Sequence, residues 1–257
     1  MNAKIYDLGV GHACIWAARR CSKVTQPLLW AAVLNAVSIG LVQAMESDDP
    51  TLIMLKADQL EWRVNDGPDA AYFEGEGWIG KDLNKIWFKS EVEQIDGSTE
   101  EAELQALYSR AVAPFWDAQV GVREDFKPEP SRSWLALGFQ GLAPYWFETN
   151  TALFIGESGR TAFRLEAEYE LLFTQRLILS PELEINAYGK NDEATGTGSG
   201  LADAQFGIRL RYEIRREFAP YIGVNWYKKY GNTADYARDE GEGVSDTSVV
   251  IGIRAWF

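Results

Sequence analysis

The sequence predicts an all-β protein: a transmembrane, antiparallel, up-and-down β-barrel of about twelve strands with periplasmic termini. Three observations carry that expectation. From Thr247 to Phe257 every second residue is apolar or small and uncharged (Thr247, Val249, Ile251, Ile253, Ala255, Phe257), while Ser248, Val250, Gly252, Arg254 and Trp256 stand between them. Such a strand offers one face to hydrocarbon and another that tolerates charge, and it ends on an aromatic residue, as closing strands of outer-membrane barrels do. Turn signals recur between segments of about ten residues, the length a tilted barrel strand needs. The mean hydropathy is −0.24, yet Trp (10), Tyr (11) and Phe (12) are abundant, as interfacial girdles require. Beyond residue 50 no apolar run reaches the ~20 residues of a spanning helix. A barrel escapes a hydropathy test because its lipid-facing and lumen-facing residues alternate.

The first 44 residues differ in composition. Lys4, Arg19, Arg20 and Lys23 precede an apolar run, Leu28 to Ala44, that closes on Val42-Gln43-Ala44. A positive flank, a short apolar core and a small-x-small ending are the parts of a secretory signal, so residues 1–44 are expected to be a signal peptide cleaved after Ala44. The stretch before Arg19 is longer than such signals need, which points to a start codon downstream of Met1. Residues 45–50 then form a short periplasmic segment, and 51–257 the barrel. Removing residues 1–44 takes away four positive charges and one negative, which changes the net charge from −13 to −16. It also removes Cys14, Cys21 and His12, the whole complement of cysteine and histidine.

The strands are expected, in order, at 51–64, 70–80, 84–94, 101–112, 115–125, 132–141, 145–156, 161–173, 177–189, 202–214, 219–230 and 246–257. The first is the least regular, since Leu52 to Leu55 is apolar on both faces. In 132–141, Leu135, Leu137 and Phe139 alternate with Trp134, Ala136 and Gly138. In 161–173, Phe163, Leu165, Ala167, Tyr169 and Leu171 face lipid, opposite Arg164, Glu166, Glu168 and Glu170. In 202–214, Phe206, Ile208, Leu210 and Tyr212 face out, opposite Gln205, Arg209, Arg211 and Glu213. One set of connections is tight: Lys81-Asp82-Leu83, Ala113-Pro114, Ala143-Pro144, Thr174-Gln175-Arg176 and Arg216 to Pro220. The other set includes two long Gly-rich, charged loops, Lys190–Leu201 and Gly231–Ser245. Short turns on one side and longer loops on the other is the barrel rule, with the short ones periplasmic. A soluble β-sandwich or barrel also alternates, but it predicts fewer interfacial aromatics.

These faces place charges of both signs in the lumen. The expected lining residues are Glu91, Glu93, Arg123, Arg164, Glu166, Glu168, Glu170, Glu182, Glu184, Arg209, Arg211 and Arg254, with Asp117 and Lys89 as further candidates. Carboxylate rows form a cation path if left open, or a rigid interior if paired with arginines. Glu166, Glu168 and Glu170 stand in one row at roughly 6.6 Å spacing and repel without countercharge. Arg209 and Arg211 are the leading partners, with Arg164 contributing from the same strand. Beyond residue 44 there is no histidine to act as general base, which argues against barrel hydrolases and for a non-enzyme. The acidic balance disfavours nucleic acid as a partner, leaving outer-membrane lipid.

Several words in order carry a resemblance. They include Asp58-Gln59-Leu60-Glu61-Trp62-Arg63, Gly77-Trp78-Ile79-Gly80-Lys81-Asp82-Leu83-Asn84-Lys85 and Ala113-Pro114-Phe115-Trp116-Asp117. Further on stand Gly141-Leu142-Ala143-Pro144-Tyr145-Trp146-Phe147-Glu148, Thr174-Gln175-Arg176-Leu177-Ile178-Leu179 and Arg211-Tyr212-Glu213-Ile214-Arg215-Arg216-Glu217-Phe218-Ala219-Pro220-Tyr221. From about residue 50 onward the chain resembles the copper resistance protein B family of outer-membrane barrels. The resemblance implies a cell-outer-membrane protein of copper homeostasis that binds or passes copper ions, with a periplasmic multicopper oxidase as a partner. Members usually carry a Met- and His-rich segment before the barrel; here that segment is only Met45 to Thr51. The metal-ligand expectation therefore falls on Met54, Asp58 and Glu61, although carboxylates are poor ligands for Cu(I). The other reading is a general small-solute channel or structural barrel without specific metal handling.

Overall fold

The computed structural model describes residues 49–65 and 67–257. The expected signal peptide, with its cleavage point at Ala44, lies outside them. Thirteen strand segments follow one another: β1 (Leu52–Val64), β2 (Ala70–Gly80), β3 (Asn84–Ile95), β4 (Ser98–Ala113), β5 (Trp116–Lys127), β6 (Arg132–Ala143), β7 (Phe147–Gly156), β8 (Thr161–Glu168), β9 (Leu171–Leu172), β10 (Leu177–Tyr188), β11 (Gly200–Tyr212), β12 (Phe218–Lys229) and β13 (Ser245–Trp256). Neighbours in sequence are neighbours in space, β10 continues to β11, and β13 returns to β1 antiparallel. The result is a closed antiparallel barrel of twelve strands, because β8 and β9 are one interrupted strand. Both pair with β10 in a single register, Glu168 opposite Glu182 and Leu171 opposite Leu179.

The interruption has a local cause. Tyr169 donates its backbone N–H to the Pro181 carbonyl at 3.0 Å, but proline has no N–H to return. The ladder therefore lapses at Tyr169 and Glu170 and resumes one pair later. Closure matters for a lipid-exposed sheet, since it leaves no edge with unpaired backbone groups. The seam between first and last strands extends to the final residue: Phe257 donates to the Leu55 carbonyl at 2.8 Å and Leu55 donates back at 3.0 Å.

Period-two alternation governs which side chains face outward. Val249 and Ile251 are exposed on the outer surface while Val250 and Ser248 between them are buried. Ile86 and Phe88 alternate likewise with Trp87, and Leu135, Leu137 and Phe139 with Trp134 and Ala136. At the end of the barrel that carries Leu52 and Phe257, the connections are short and hold Leu83, Phe115, Tyr145, Trp146 and Phe173, all exposed. Phe115, Tyr145 and Trp146 sit at φ 66°, 68° and 67°, a left-handed conformation unusual for aromatic residues.

Two features depart from simple alternation. A bulge in β1, between Ala57 and Gln59 against β2 and between Ala57 and Leu60 against β13, shifts the phase. Ile53 and Leu55 point outward before it, and Leu60, Trp62 and Val64 after it. A bulge adds one unpaired residue to a strand, so Gln59, Glu61 and Arg63 become buried inside although they have the opposite parity to Lys56. The doubly apolar start of this strand has a different cause: between the outward Ile53 and Leu55, Met54 packs against Trp87 and its apolar neighbours. The second departure is in the expected loop Gly231–Ser245, which contains a helix, α1 (Gly231–Glu240). Its interior, Ala234 to Arg238, is tolerant of helix, and Gly241 caps it at φ 81°. Thr233, Ala234 and Ala237 are buried, and Thr233 accepts a hydrogen bond from the Gly198 N–H at 2.9 Å, tying α1 to the other long loop. The β3–β4 connection is a tight Asp96-Gly97 turn, both at positive φ, so β4 starts at Ser98 rather than 101.

A lumenal cavity lined by carboxylates

Inside the barrel lies a cavity of about 390 Å³. Ten carboxylates and six cationic side chains line it: Asp58, Glu74, Glu76, Glu91, Glu103, Glu148, Glu166, Glu168, Glu182 and Glu184 against Lys56, Lys89, Arg164, Arg209, Arg211 and Arg254. The pleat sends these residues inward from β1, β2, β3, β4, β7, β8, β10, β11 and β13, so the site belongs to the closed wall rather than to any loop.

Four arginines organise its charges. Arg164 on β8 reaches Glu103 at 3.0 Å, Glu91 at 3.3 Å and Glu184 at 3.4 Å, joining β3, β4, β8 and β10. Arg123 meets the same Glu103 at 2.8 Å and Asp125 at 2.6 Å. Arg209 on β11 pairs with Glu61 of β1 and with Glu182 of β10 at 2.7 Å, and donates to the Gln59 side-chain oxygen at 2.7 Å. Glu61, fully enclosed, also takes Arg63 at 3.0 Å. Arg254 on β13 reaches Glu168 at 3.1 Å, Asp58 at 3.3 Å and Glu170 at 3.5 Å. Two glycines make room for this wall. A Cβ at Gly207 would collide with the Arg209 guanidinium, and one at Gly252 would lie 2.6 Å from the Tyr221 ring.

The predicted lining residues have these positions. Glu91, Arg164, Glu166, Glu168, Glu182, Glu184, Arg209, Arg211 and Arg254 line the cavity. Glu93, Arg123 and Glu170 are tied to Arg63, Glu103 and Arg211 respectively. The row Glu166, Glu168, Glu170 is countered differently from expectation. Arg211 does take Glu170, but Arg254, not Arg209, serves Glu168, and Arg164 lies 4.0 Å from Glu166, which accepts a hydrogen bond from Asn150 at 2.8 Å. Arg209 is drawn to β1 and β10 because those strands bring Glu61 and Glu182 closer.

Met54, Asp58 and Glu61 have separate surroundings. Met54 packs against the apolar cluster of Trp87, Leu107, Trp134, Ala136, Phe154 and Ala162. Asp58 is held by Lys56 at 2.6 Å as well as by Arg254, and Glu61 by Arg209 and Arg63. Among the described residues, no group of three or more His, Cys, Asp or Glu is disposed to hold a metal ion. Glu74, Glu76, Glu103 and Glu148 were missed in the sequence. On β2 the outer face between Phe73 and Ile79 is Gly75 and Gly77, so the lipid-facing half of the alternation carries no apolar signal there.

The family described as "Copper resistance protein B precursor (CopB)" matches residues 51–257. The chain belongs to the copper resistance protein B family. Copper resistance protein B of Escherichia coli is 50% identical over 200 residues, covering 78% of this chain and 68% of that protein. A copper resistance protein B homolog of Pseudomonas syringae pv. tomato is 50% identical over 202 residues, with the same two shares. Among solved structures, the NanC porin (TM-score 0.52, 13% identity) and the KdgM porin (TM-score 0.50, 13% identity) each cover 79% of this chain and are covered to 99% themselves. At that identity the likeness is one of fold, an outer-membrane porin barrel. Membership of the copper resistance protein B family supports a role in copper resistance.

Proposed function

We propose that this protein is a non-enzymatic outer-membrane barrel of copper homeostasis that binds or passes copper ions through its lumen. Its short turns and termini face the periplasm, and residues 1–44 direct its export. The observation that carries the reading is the excess of carboxylates over cationic groups in the cavity of a chain from a copper resistance family. A wall of one net sign in a low-dielectric enclosure concentrates ions of the other sign. Copper is the cargo here, with a periplasmic multicopper oxidase as the partner on the turn side. From residue 49 on there is neither histidine nor cysteine, so no imidazole or thiolate is available for acid–base or nucleophilic work.

The test is a deletion strain grown under copper stress, with copper tolerance and cell-associated copper measured, alongside copper flux into vesicles that contain the purified barrel. The reading expects altered tolerance and copper-selective flux. Unchanged tolerance together with flux of small solutes indifferent to copper would overturn it in favour of a general channel.

A further inference from the structure

We propose that Arg164 is the latch of a side-chain layer that shuts the lumen to small solutes between the cavity and the long-loop end. This rests on the reading of the lumen as the path for copper and names what controls it. Arg164 stands on β8, whose ladder partners are β7 and β10. Its carboxylate partners Glu91 and Glu103, at 3.3 and 3.0 Å, stand on β3 and β4, with β5, β6 and β7 between. Those ion pairs therefore cross the interior instead of running along the wall.

The crossing continues on every side. Toward β1, the Tyr72 hydroxyl donates to Glu91 at 2.7 Å and the Arg63 guanidinium lies 3.7 Å over the Tyr72 ring. Arg63 in turn holds Glu61 at 3.0 Å, and Glu61 takes Arg209 of β11. Toward β10, Arg164 donates to the Asn186 side-chain oxygen at 3.0 Å, and the Asn186 amide donates to Asp203 of β11 at 3.0 Å. Toward β5 and β7, Arg123 holds Glu103 at 2.8 Å and lies 4.5 Å over the Phe154 ring.

The extent of the cavity is a second, independent observation. It is lined on β3 as far as Glu91 but not Glu93, on β4 as far as Glu103 but not Glu101, and on β10 as far as Glu184 but not Asn186. On each of these strands it stops at the Arg164 layer, on the side facing the long loops. Arg164 also borders a second void of about 10 Å³, room for one water at most. A guanidinium fixed across a narrow lumen blocks solutes by bulk and repels cations by charge. Its planar fork holds several carboxylates at once, which a lysine ammonium does not.

The experiment measures the conductance of the purified barrel in planar bilayers at low salt. No cysteine occurs beyond residue 21, so Arg164→Cys gives the barrel a single thiol. The wild type should be nearly silent, and Arg164→Cys should conduct about tenfold more. Modifying that thiol with cationic aminoethyl methanethiosulfonate should bring the conductance back toward the wild-type level, whereas the neutral methyl reagent should leave it high. Arg164→Lys, charged but without the fork, should conduct at an intermediate level. A wild-type barrel that conducts freely, an Arg164→Cys barrel no leakier than wild type, or equal closure by both reagents would each overturn the latch. If Arg164→Cys fails to fold, the wild-type trace and Arg164→Lys decide, and a lysine variant as silent as wild type would overturn it. A shut wild type with no copper flux in vesicles and unchanged copper tolerance on deletion would overturn the functional reading and leave the latch standing. A freely conducting wild type that still passes copper selectively would do the reverse.

Discussion

Trp87, Leu107, Trp134, Ala136, Phe154 and Ala162 cover part of the inner wall of β3–β8 with hydrocarbon, whereas Glu61, Glu182, Arg209, Arg211 and Arg254 cover β1, β10, β11 and β13 with charge. The first stretch is buried and the second buried or half-buried, and both face the same lumen. The apolar stretch packs against itself, so each side chain contributes by area and shape and no single one is indispensable. The charged stretch works by reciprocity, because an ion removed there leaves its partner enclosed and uncompensated. Arg164 stands on the border between them. Its neighbour Arg123 lies 4.5 Å over the Phe154 ring, so the guanidinium that holds Glu103 also roofs the apolar cluster. The contrast teaches that one lumen can be filled on one side by packing and kept polar on the other by pairing, with open space where the pairing is incomplete.

The largest expected effect comes from breaking the pairing. Arg164→Ala leaves Glu91 and Glu184 without an arginine and Glu103 with Arg123 alone, and should cost about 3–5 kcal/mol of barrel stability, read by urea unfolding in detergent. A loss under about 1 kcal/mol would mean that water replaces the arginine freely, and the contrast between the two walls would fail. On the apolar side, Leu107→Ala, at a position 5% exposed, should cost roughly 2–3 kcal/mol. That loss should be indifferent to salt between 0.1 and 1 M on the order of a Debye-length change from 10 to 3 Å, whereas any salt sensitivity should appear in the Arg164 variant.

The smallest effect sits on the long-loop rim. Hydrogen bonds from Arg132, with the charge of Arg160 beside them, hold the Asp192 carboxyl below its ordinary range. A depressed carboxyl contributes stability that is present above its unfolded value of about 4 and lost as pH falls through the folded one. Limited proteolysis of the 189–199 loop should therefore quicken below about pH 4, and Asp192→Asn should show the faster cleavage already at neutral pH. Equal cleavage rates for the variant and the wild type at neutral pH would remove that contact from the account.

Much of the fold was legible because a barrel strand writes its two faces into alternate residues. Leu135, Leu137 and Phe139 against Trp134 and Ala136 required nothing beyond period two, and the same holds for Val249 and Ile251 against Val250. The site was legible only in part. Glu166, Glu168, Arg209 and Arg211 announced themselves by standing between large apolar residues, while Glu74 and Glu76 alternate with glycines and left no such mark. Helix α1 was hidden for a related reason, since Gly231 and Gly241 frame a segment that composition alone reads as a loop.

From its residues alone the chain determined that it would be a closed antiparallel barrel, how many strands would close it, and, on its regularly alternating strands, which side chains would face inward, because alternation and turn chemistry are local. Only the tertiary structure decided which charges meet. The bulge beyond Ala57 turned Glu61 inward, closure brought β13 beside β1 so that Arg254 met Asp58, and the lumen's width let Arg164 span from β8 to Glu91 and Glu103. Partners across a barrel are set by shear and bulges summed around the whole ring, and no stretch of sequence shorter than the ring contains that sum.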